Sequence, residues 1–298
     1  MKLFKQVRRW QPKFRGDEKA DMKDGINGKE IHSFLDMVTK KAGGKLLSYF
    51  QGKFRIDRKD TSVGGIDIVT DADRASEEII LEAIGREFPS HDILTEETVT
   101  EMSGSSWLWL VDPLDGTVNF AHGFPHFCIS IALMHKEILL AGIVYDPLRQ
   151  ETFFTMRGSG AYLNGKPAQV SRADRLGVSI IATGFPYDRA YSAETNVAEF
   201  TRVVTRVQGI RRAGSAALDL AYVSYGRMDG FWELKLKPWD QAAGMLLVEE
   251  AGGRVTDRTG NAADVYSVSV VATNGIIHEE LLAAIEGNLF IRPIQGRS

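Results

Sequence analysis

Two aspartates close an apolar run in Trp107-Leu108-Trp109-Leu110-Val111-Asp112-Pro113-Leu114-Asp115-Gly116-Thr117. The run reads as a buried strand with Asp112 at its end, and Pro113, which has no N–H to donate, is expected to break the ladder there. Asp115 follows three residues on, Gly116 lets backbone approach a ligand closely, and Thr117 can open a helix. Carboxylate oxygens bind hard divalent cations, and a helix start offers N–H donors and positive dipole to an anion. The segment is therefore equipped for a cation and a phosphate together. An Asp-Pro turn followed by a capping residue would use the same letters.

Other acids stand in comparable places. Glu96-Glu97 follows the apolar stretch Asp92–Thr95, although adjacent glutamates are ordinarily solvated surface. Lys237-Pro238-Trp239-Asp240-Gln241-Ala242-Ala243-Gly244 places Asp240 at the entrance of a small-residue helix, where it could equally be a simple N-terminal cap. Thr70 and Asp73 have the spacing of a capping box, a role compatible with a functional one.

These acids need elements to carry them. Ile31, Phe34, Leu35, Val38, Ala42 and Leu46 follow helical spacing, with Gly43-Gly44 expected to weaken the run. Residues 53–66 read as irregular or a hairpin, and Ile79, Ile80, Ala83 and Ile84 give the helix after Thr70 its apolar face. Strands are predicted at Asp92–Thr95, Trp107–Val111, Phe127–Met134, Ile138–Tyr145, Glu151–Met156 and Ala161–Leu163, with a hairpin turn at Asn164-Gly165. Beyond about residue 177 strands alternate with helices: strand Val178–Thr183, helices near Thr195–Val207 and Ala216–Tyr225, and strand Gly230–Leu234. Helix Asp240–Ala251, strands near Val255 and Val268–Ala272, and helix Ile276–Ile285 follow. Strands first and alternation later predict an α+β fold of two sheets, with helices between and outside them.

The 298 residues are 44% hydrophobic and 25% charged, with a formal net charge of -3, which gives no global case for nucleic-acid or membrane binding. No apolar run approaches the roughly 20 residues of a membrane-spanning helix. A single cysteine, Cys128, excludes an internal disulfide framework and suits a reducing cytoplasm. Lys2, Lys5, Arg8, Arg9, Lys13 and Arg15 precede the first acid, so residues 1–28 read as a basic, flexible extension outside the core.

In order and spacing, Glu-Glu, Asp-Pro-Leu-Asp-Gly-Thr and Trp-Asp-Gln-Ala-Ala-Gly resemble the inositol monophosphatase family from about Ile31 to about Ile285. Asn119-Phe120, Gly123-Phe124-Pro125, Gly214–Tyr222 and Asp229–Glu233 resemble its bacterial branch. The resemblance implies a layered α-β-α-β-α sandwich and a magnesium-dependent, lithium-sensitive phosphatase, cytoplasmic and homodimeric, acting on a small polyol or sugar phosphate. Two to three Mg²⁺ ions are expected. Glu96, Asp112 and the Leu114 carbonyl would hold the first, Asp112, Asp115 and Asp240 the second, and Glu96 would help with a third. Asp73 and Thr117 would position the attacking water, and the Gly116 and Thr117 N–H groups would receive phosphate oxygens. Gly214, Ser215, Ala216 and Glu233 would meet the polyol, with Arg211 behind that wall. Ser215 could instead cap the helix it precedes, and Arg211-Arg212 could belong to a subunit interface.

On this reading residues 29–176 form an α+β subdomain carrying most metal ligands. Residues 177–290 form an α/β subdomain carrying Asp240 and the polyol residues, and 291–298 are a tail. Residues near Lys59 to Gly65 are expected to form a mobile loop approaching the metals. His122 and His126 are expected to be loop or packing residues. The family commonly has glycine before Glu-Glu, where this chain has Thr95, a departure that bears on the loop carrying Glu96 and on the third ion more than on the first two. Fructose 1,6-bisphosphate and nucleotide 3'-phosphates are alternative substrates, and an RNA or transcription partner role, known for some bacterial relatives, is the alternative from another class.

Overall fold

Side chains along a strand point alternately to its two faces, and here both faces are covered. The computed structural model describes residues 28–59, 67–98, 100 and 102–288. The basic N-terminal arm, all but Lys59 of the predicted 59–65 loop, and the 291–298 tail lie outside the described residues. A two-stranded ribbon joins β1 (Ile56–Arg58) to β2 (Ile68–Thr70). A seven-stranded sheet follows chain order: β3 (Asp92–Thr95), β4 (Trp107–Asp115), β5 (Cys128–His135), β6 (Ile138–Asp146), β7 (Glu151–Met156), β8 (Gly160–Leu163) and β9 (Lys166–Ala168). Only its β3–β4 pair is parallel. The second sheet has five strands: β10 (Ile180–Thr183), β11 (Gly209–Arg211), β12 (Gly230–Leu234), β13 (Arg254–Thr256) and β14 (Ser269–Thr273). Their order is β11-β10-β12-β14-β13, with β10 parallel to both its neighbours.

Seven helices fill the layers among the described residues: α1 (Gly28–Tyr49), α2 (Asp71–Glu87), α3 (Thr117–Ala121), α4 (Val197–Val204), α5 (Ala216–Ser224), α6 (Pro238–Glu250) and α7 (His278–Glu286). On β4, Trp109 and Val111 pack with α1 and α2, while Leu110 packs with α5 and α6. On β12, Phe231 joins the α5–α6 layer, and Trp232 joins α4 and α7 outside. The result is the α-β-α-β-α sandwich, with α5 and α6 as the middle layer. Among the described residues no helix is long and apolar enough to cross a membrane.

Three readings of the sequence need correction. Pro113 does not end β4, which runs on to Asp115 through a register shift between Asp112 and Asp115. A bulge accommodates the proline because a bulged residue is left unpaired. Residues 176–179 begin as a 3-10 turn at Leu176–Val178, so the strand starts only at Ile180. Gly43-Gly44 does not interrupt α1. A Cβ at Gly43 would stand 2.6 Å from the Tyr145 ring, whereas one at Gly44 would meet nothing within 4 Å. Gly43 thus lets the helix seat on β6.

The two glycines should respond oppositely to alanine. Gly44→Ala should stabilise by roughly 0.5–1 kcal/mol through helix propensity. Gly43→Ala should destabilise by about 1 kcal/mol or more through overpacking. Urea midpoints compare them, and equal midpoints would remove the seating role from Gly43.

Candidate active site

Parallel pairing aligns two strand ends. Thr95 on β3 lies opposite Val111 on β4, so the next residues, Glu96 just past the end of β3 and Asp112 still on β4, stand side by side. Asp240 reaches them from the first turn of α6. Ser130, the cross-strand partner of Asp112, donates from Oγ to the Trp239 carbonyl at 3.1 Å, which ties that helix start to the sheet. One oxygen from each of Glu96, Asp112 and Asp240 then lies within 4.8 Å of the others. Three carboxylates and no softer donor suit a hard cation such as Mg²⁺. Asp112 is 1% exposed, and burial followed by the charges of Glu96, Asp115 and Asp240 drives its carboxyl well above the ordinary range. Asp240 shifts the same way, by burial and then the charges of Glu96 and Asp115. Acids under such mutual repulsion fit a site that takes up positive charge.

The remaining predicted residues surround this cluster. Asp115 lines the same cavity but turns its Oδ2 to the Ser215 hydroxyl and the Ala217 N–H, each at 2.7 Å. Ser215 stands at the N-cap position of α5 but makes no side-chain capping bond, because its hydroxyl is committed to Asp115. Asp115 keeps a raised carboxyl, up to about 6, from burial that these hydrogen bonds oppose. Gly116 sits at φ +101° before α3, and a Cβ there would meet the His126 carbonyl at 3.0 Å. Thr117 Oγ1 lies 2.9 Å from Asp73 Oδ1 and 3.0 Å from the Leu114 carbonyl. Asp73 also completes the predicted capping box, accepting from the Thr70 N–H at 2.8 Å. Burial raises Asp73 to about 6 against those bonds.

Lys59 supplies positive charge to the cluster. Its Nζ lies 2.6 Å from Glu96 and 2.7 Å from Glu97, with Asp67 at 4.0 Å. Burial opposes the ammonium, but the two glutamates outweigh it and raise its pKa. Glu97 is raised to about 7 by burial and then by the Glu96 charge.

The facing wall comes from the carboxyl ends of β10, β11 and β12, the usual place for ligands over parallel strands. It contributes Gly184–Arg189, Arg212 and Gly214–Ala216, and Glu233 to a cavity of about 890 Å³ that the acids also line. Burial pushes the Glu233 carboxyl well above its usual range, and Arg212 opposes that shift. Arg211 is exposed, and among the described residues its side chain bonds only its neighbour's carbonyl, at 2.9 Å, so Arg212, not Arg211, stands at the wall. His122 is exposed, whereas His126 is buried with Nε2 3.4 Å from Asp219 and packs edge-on against Tyr222. Both keep to loop and packing places.

Residues 29–289 match the profile of the inositol monophosphatase family. The chain belongs to the inositol monophosphatase family. It is 42% identical over 260 residues to the inositol-1-monophosphatase of Synechocystis sp., covering 86% of this chain and 90% of that one. It is 44% identical over 228 residues to Nus factor SuhB of Pseudomonas aeruginosa, covering 75% and 84%. The crystal structure of extragenic suppressor protein suhB from Bartonella henselae superposes with a TM-score of 0.81 at 38% identity, covering 87% and 100%. Relatives of both names are thus about equally similar.

Within this inositol monophosphatase fold, Thr95 fastens the acid loop. Its hydroxyl donates to the buried Glu77 at 2.6 Å, anchoring the loop to α2. Glu77, Arg212 and Asp219 also bear on the site, and the motifs did not single them out for it, whereas Lys59 opens the segment expected to approach the metals. Glu77 was nonetheless detectable, because it lies one helical turn beyond Asp73 and so shares its face.

A proton and a metal ion would compete for these acids. Asp73 and Asp115 hold protons to about 6 and Glu97 to about 7, above the ordinary carboxylate range. Between roughly pH 4 and 7 these three acids therefore bind more protons in the folded metal-free chain than in the unfolded one, and their contribution to stability falls as pH rises. Metal needs the deprotonated acids. Added Mg²⁺ should raise the unfolding temperature little near about pH 5 and fully above about pH 7. An equal increment at both would exclude Asp115, the one of these three among the expected ligands, from metal binding.

Proposed function

We propose that this chain is a Mg²⁺-dependent phosphoric monoester hydrolase acting on a small polyol phosphate, with an inositol monophosphate as first candidate. The observation that carries the reading is the convergence of Glu96, Asp112 and Asp240 within 4.8 Å at one side of the cavity faced by Gly214–Ala216 and Glu233. Glu96, Asp112, Asp115, Asp240 and the Leu114 carbonyl would hold two to three ions. Bound Mg²⁺ supplies neutralisation of the phosphoryl oxygens and a more acidic bound water.

The chain's own groups do the rest. Thr117 donates to the buried Asp73, which leaves the Thr117 hydroxyl oxygen, at the cavity, to accept a hydrogen bond from the attacking water, so that the pair aims it. Backbone N–H groups at Gly116 and Thr117 receive phosphate oxygens. Glu233 and the Gly214–Ala216 turn meet the polyol hydroxyls. The only thiol, Cys128, is fully buried with its pKa driven well above normal by burial, and His126 faces Asp219, so neither serves as nucleophile. Water therefore attacks phosphorus directly, without a phosphoenzyme. Fructose 1,6-bisphosphate or a nucleotide 3'-phosphate would use the same acids, and only the facing wall discriminates among them. A cytoplasmic homodimer completes this reading.

The second reading, a partner role toward RNA or the transcription machinery, is favoured by one observation. Relatives named Nus factor SuhB match at 40–44% identity, alongside relatives named inositol-1-monophosphatase at 42% and 43%.

Phosphate release should be measured from a panel of inositol phosphates, fructose 1,6-bisphosphate and adenosine 3',5'-bisphosphate, with and without Mg²⁺. Release led by an inositol monophosphate and dependent on Mg²⁺ is expected, and Asp112→Asn should abolish it while the protein stays folded. No release from any compound would leave the partner role as the leading reading. Glu233→Ala should reorder the panel, whereas an equal fall on every substrate would make Glu233 structural.

A further inference from the structure

Helix α2 lies beneath both acid-bearing strand ends and grips each of them. Asp73, Ser76 and Glu77 stand at i, i+3 and i+4, on one face of the helix. Their exposures are 0%, 0% and 3%. Asp73 holds Thr117, as described above. Ser76 Oγ donates to the Pro113 carbonyl at 2.7 Å, in the middle of the bulge between Asp112 and Asp115. Glu77 accepts at Oε1 from the Thr95 hydroxyl at 2.6 Å and from the Glu97 and Thr98 N–H groups, both at 3.2 Å. Its Oε2 accepts from the Thr98 hydroxyl at 2.5 Å. Those three residues bracket Glu96 on both sides.

A buried carboxylate is costly unless its oxygens are fully hydrogen-bonded, and this one adds negative charge beneath a cluster of acids that already repel. A neutral side chain would serve packing at lower cost. What Glu77 supplies is four acceptor contacts to the loop carrying Glu96. We propose that Ser76 and Glu77 are positioning residues, holding the Glu96 loop and the Asp112 bulge in register so that both acids meet one cation. The inference rests on the metal-binding reading above. Outer contacts of this kind commonly set metal affinity by about 10- to 100-fold.

The test is calorimetric titration of Mg²⁺ alone into the full chain and into Glu77→Gln, Ser76→Ala and Asp112→Asn, with a urea midpoint for each. Glutamine keeps the shape of Glu77 but presents an amide NH₂ to one set of donors. Glu77→Gln and Ser76→Ala should weaken Mg²⁺ binding about 10-fold or more while remaining folded. In the phosphatase assay, half-maximal activity should move to higher Mg²⁺ by a similar factor, and saturating Mg²⁺ should restore most of kcat. A merely structural role would instead lower the urea midpoint and leave Mg²⁺ affinity unchanged in the folded fraction, which overturns the proposal. Should Glu77→Gln fail to fold, Thr95→Val and Thr98→Val each remove one contact and are judged by the same shift in Mg²⁺ affinity. If the unaltered chain takes up no Mg²⁺, or Asp112→Asn binds it equally well, the metal reading itself falls. If Asp112→Asn loses binding while the α2 variants keep it, only the positioning role falls.

Discussion

Like charges held a few ångströms apart push on whatever carries them, and this constraint organises the centre of the molecule. Two unit charges 4 Å apart repel by about 4 kcal/mol at an effective dielectric near 20. The close approach of Glu96, Asp112 and Asp240 is therefore a demand on the scaffold. Three separate layers meet it. Sheet hydrogen bonds align two of the acids, the Ser130–Trp239 contact brings in the third, and α2 braces the loops from below. Lys59 meets the same repulsion from the other direction, by adding opposite charge.

The middle layer explains how distant parts of the chain come to share one cavity. Helices α5 and α6 are buried between the sheets, and each begins at the cavity. Their starts carry Ser215 and Asp240, so the packing of the middle layer also fixes where those side chains lie. Ser215 reaches Asp115 on the first sheet, which binds the two halves across the gap. Burial that stabilises the fold and burial that raises the carboxyl pKa values are thus consequences of the same stacking.

Much of this was legible in the letters. The unbroken apolar run Trp107–Val111, the Asn164-Gly165 turn and the Thr70–Asp73 box all appear where expected, because each is decided by local chemistry. What escaped was decided by tertiary contact. Pro113 fits in a strand only because β5 allows a bulge, and Gly43 is tolerated in a helix because Tyr145 needs the room. Arg212 and Arg211 are indistinguishable as letters, and only the strand's orientation puts one at the cavity. Ser215 has the sequence of a cap, yet a carboxylate 100 residues away takes its hydroxyl.

The cavity's two sides have separate origins, and that has an evolutionary consequence. Glu96, Asp112 and Asp115 hang from the first sheet, whereas Gly184, Arg212 and Glu233 hang from the second. A change in the size or charge of the second set is absorbed by loops following β10 and β11 and by the end of β12, leaving the acids where they are. Lineages sharing this scaffold can therefore diverge in what they admit through drift on one wall alone. The same independence would let a lineage acquire a new binding partner there without first dismantling the acidic cluster opposite.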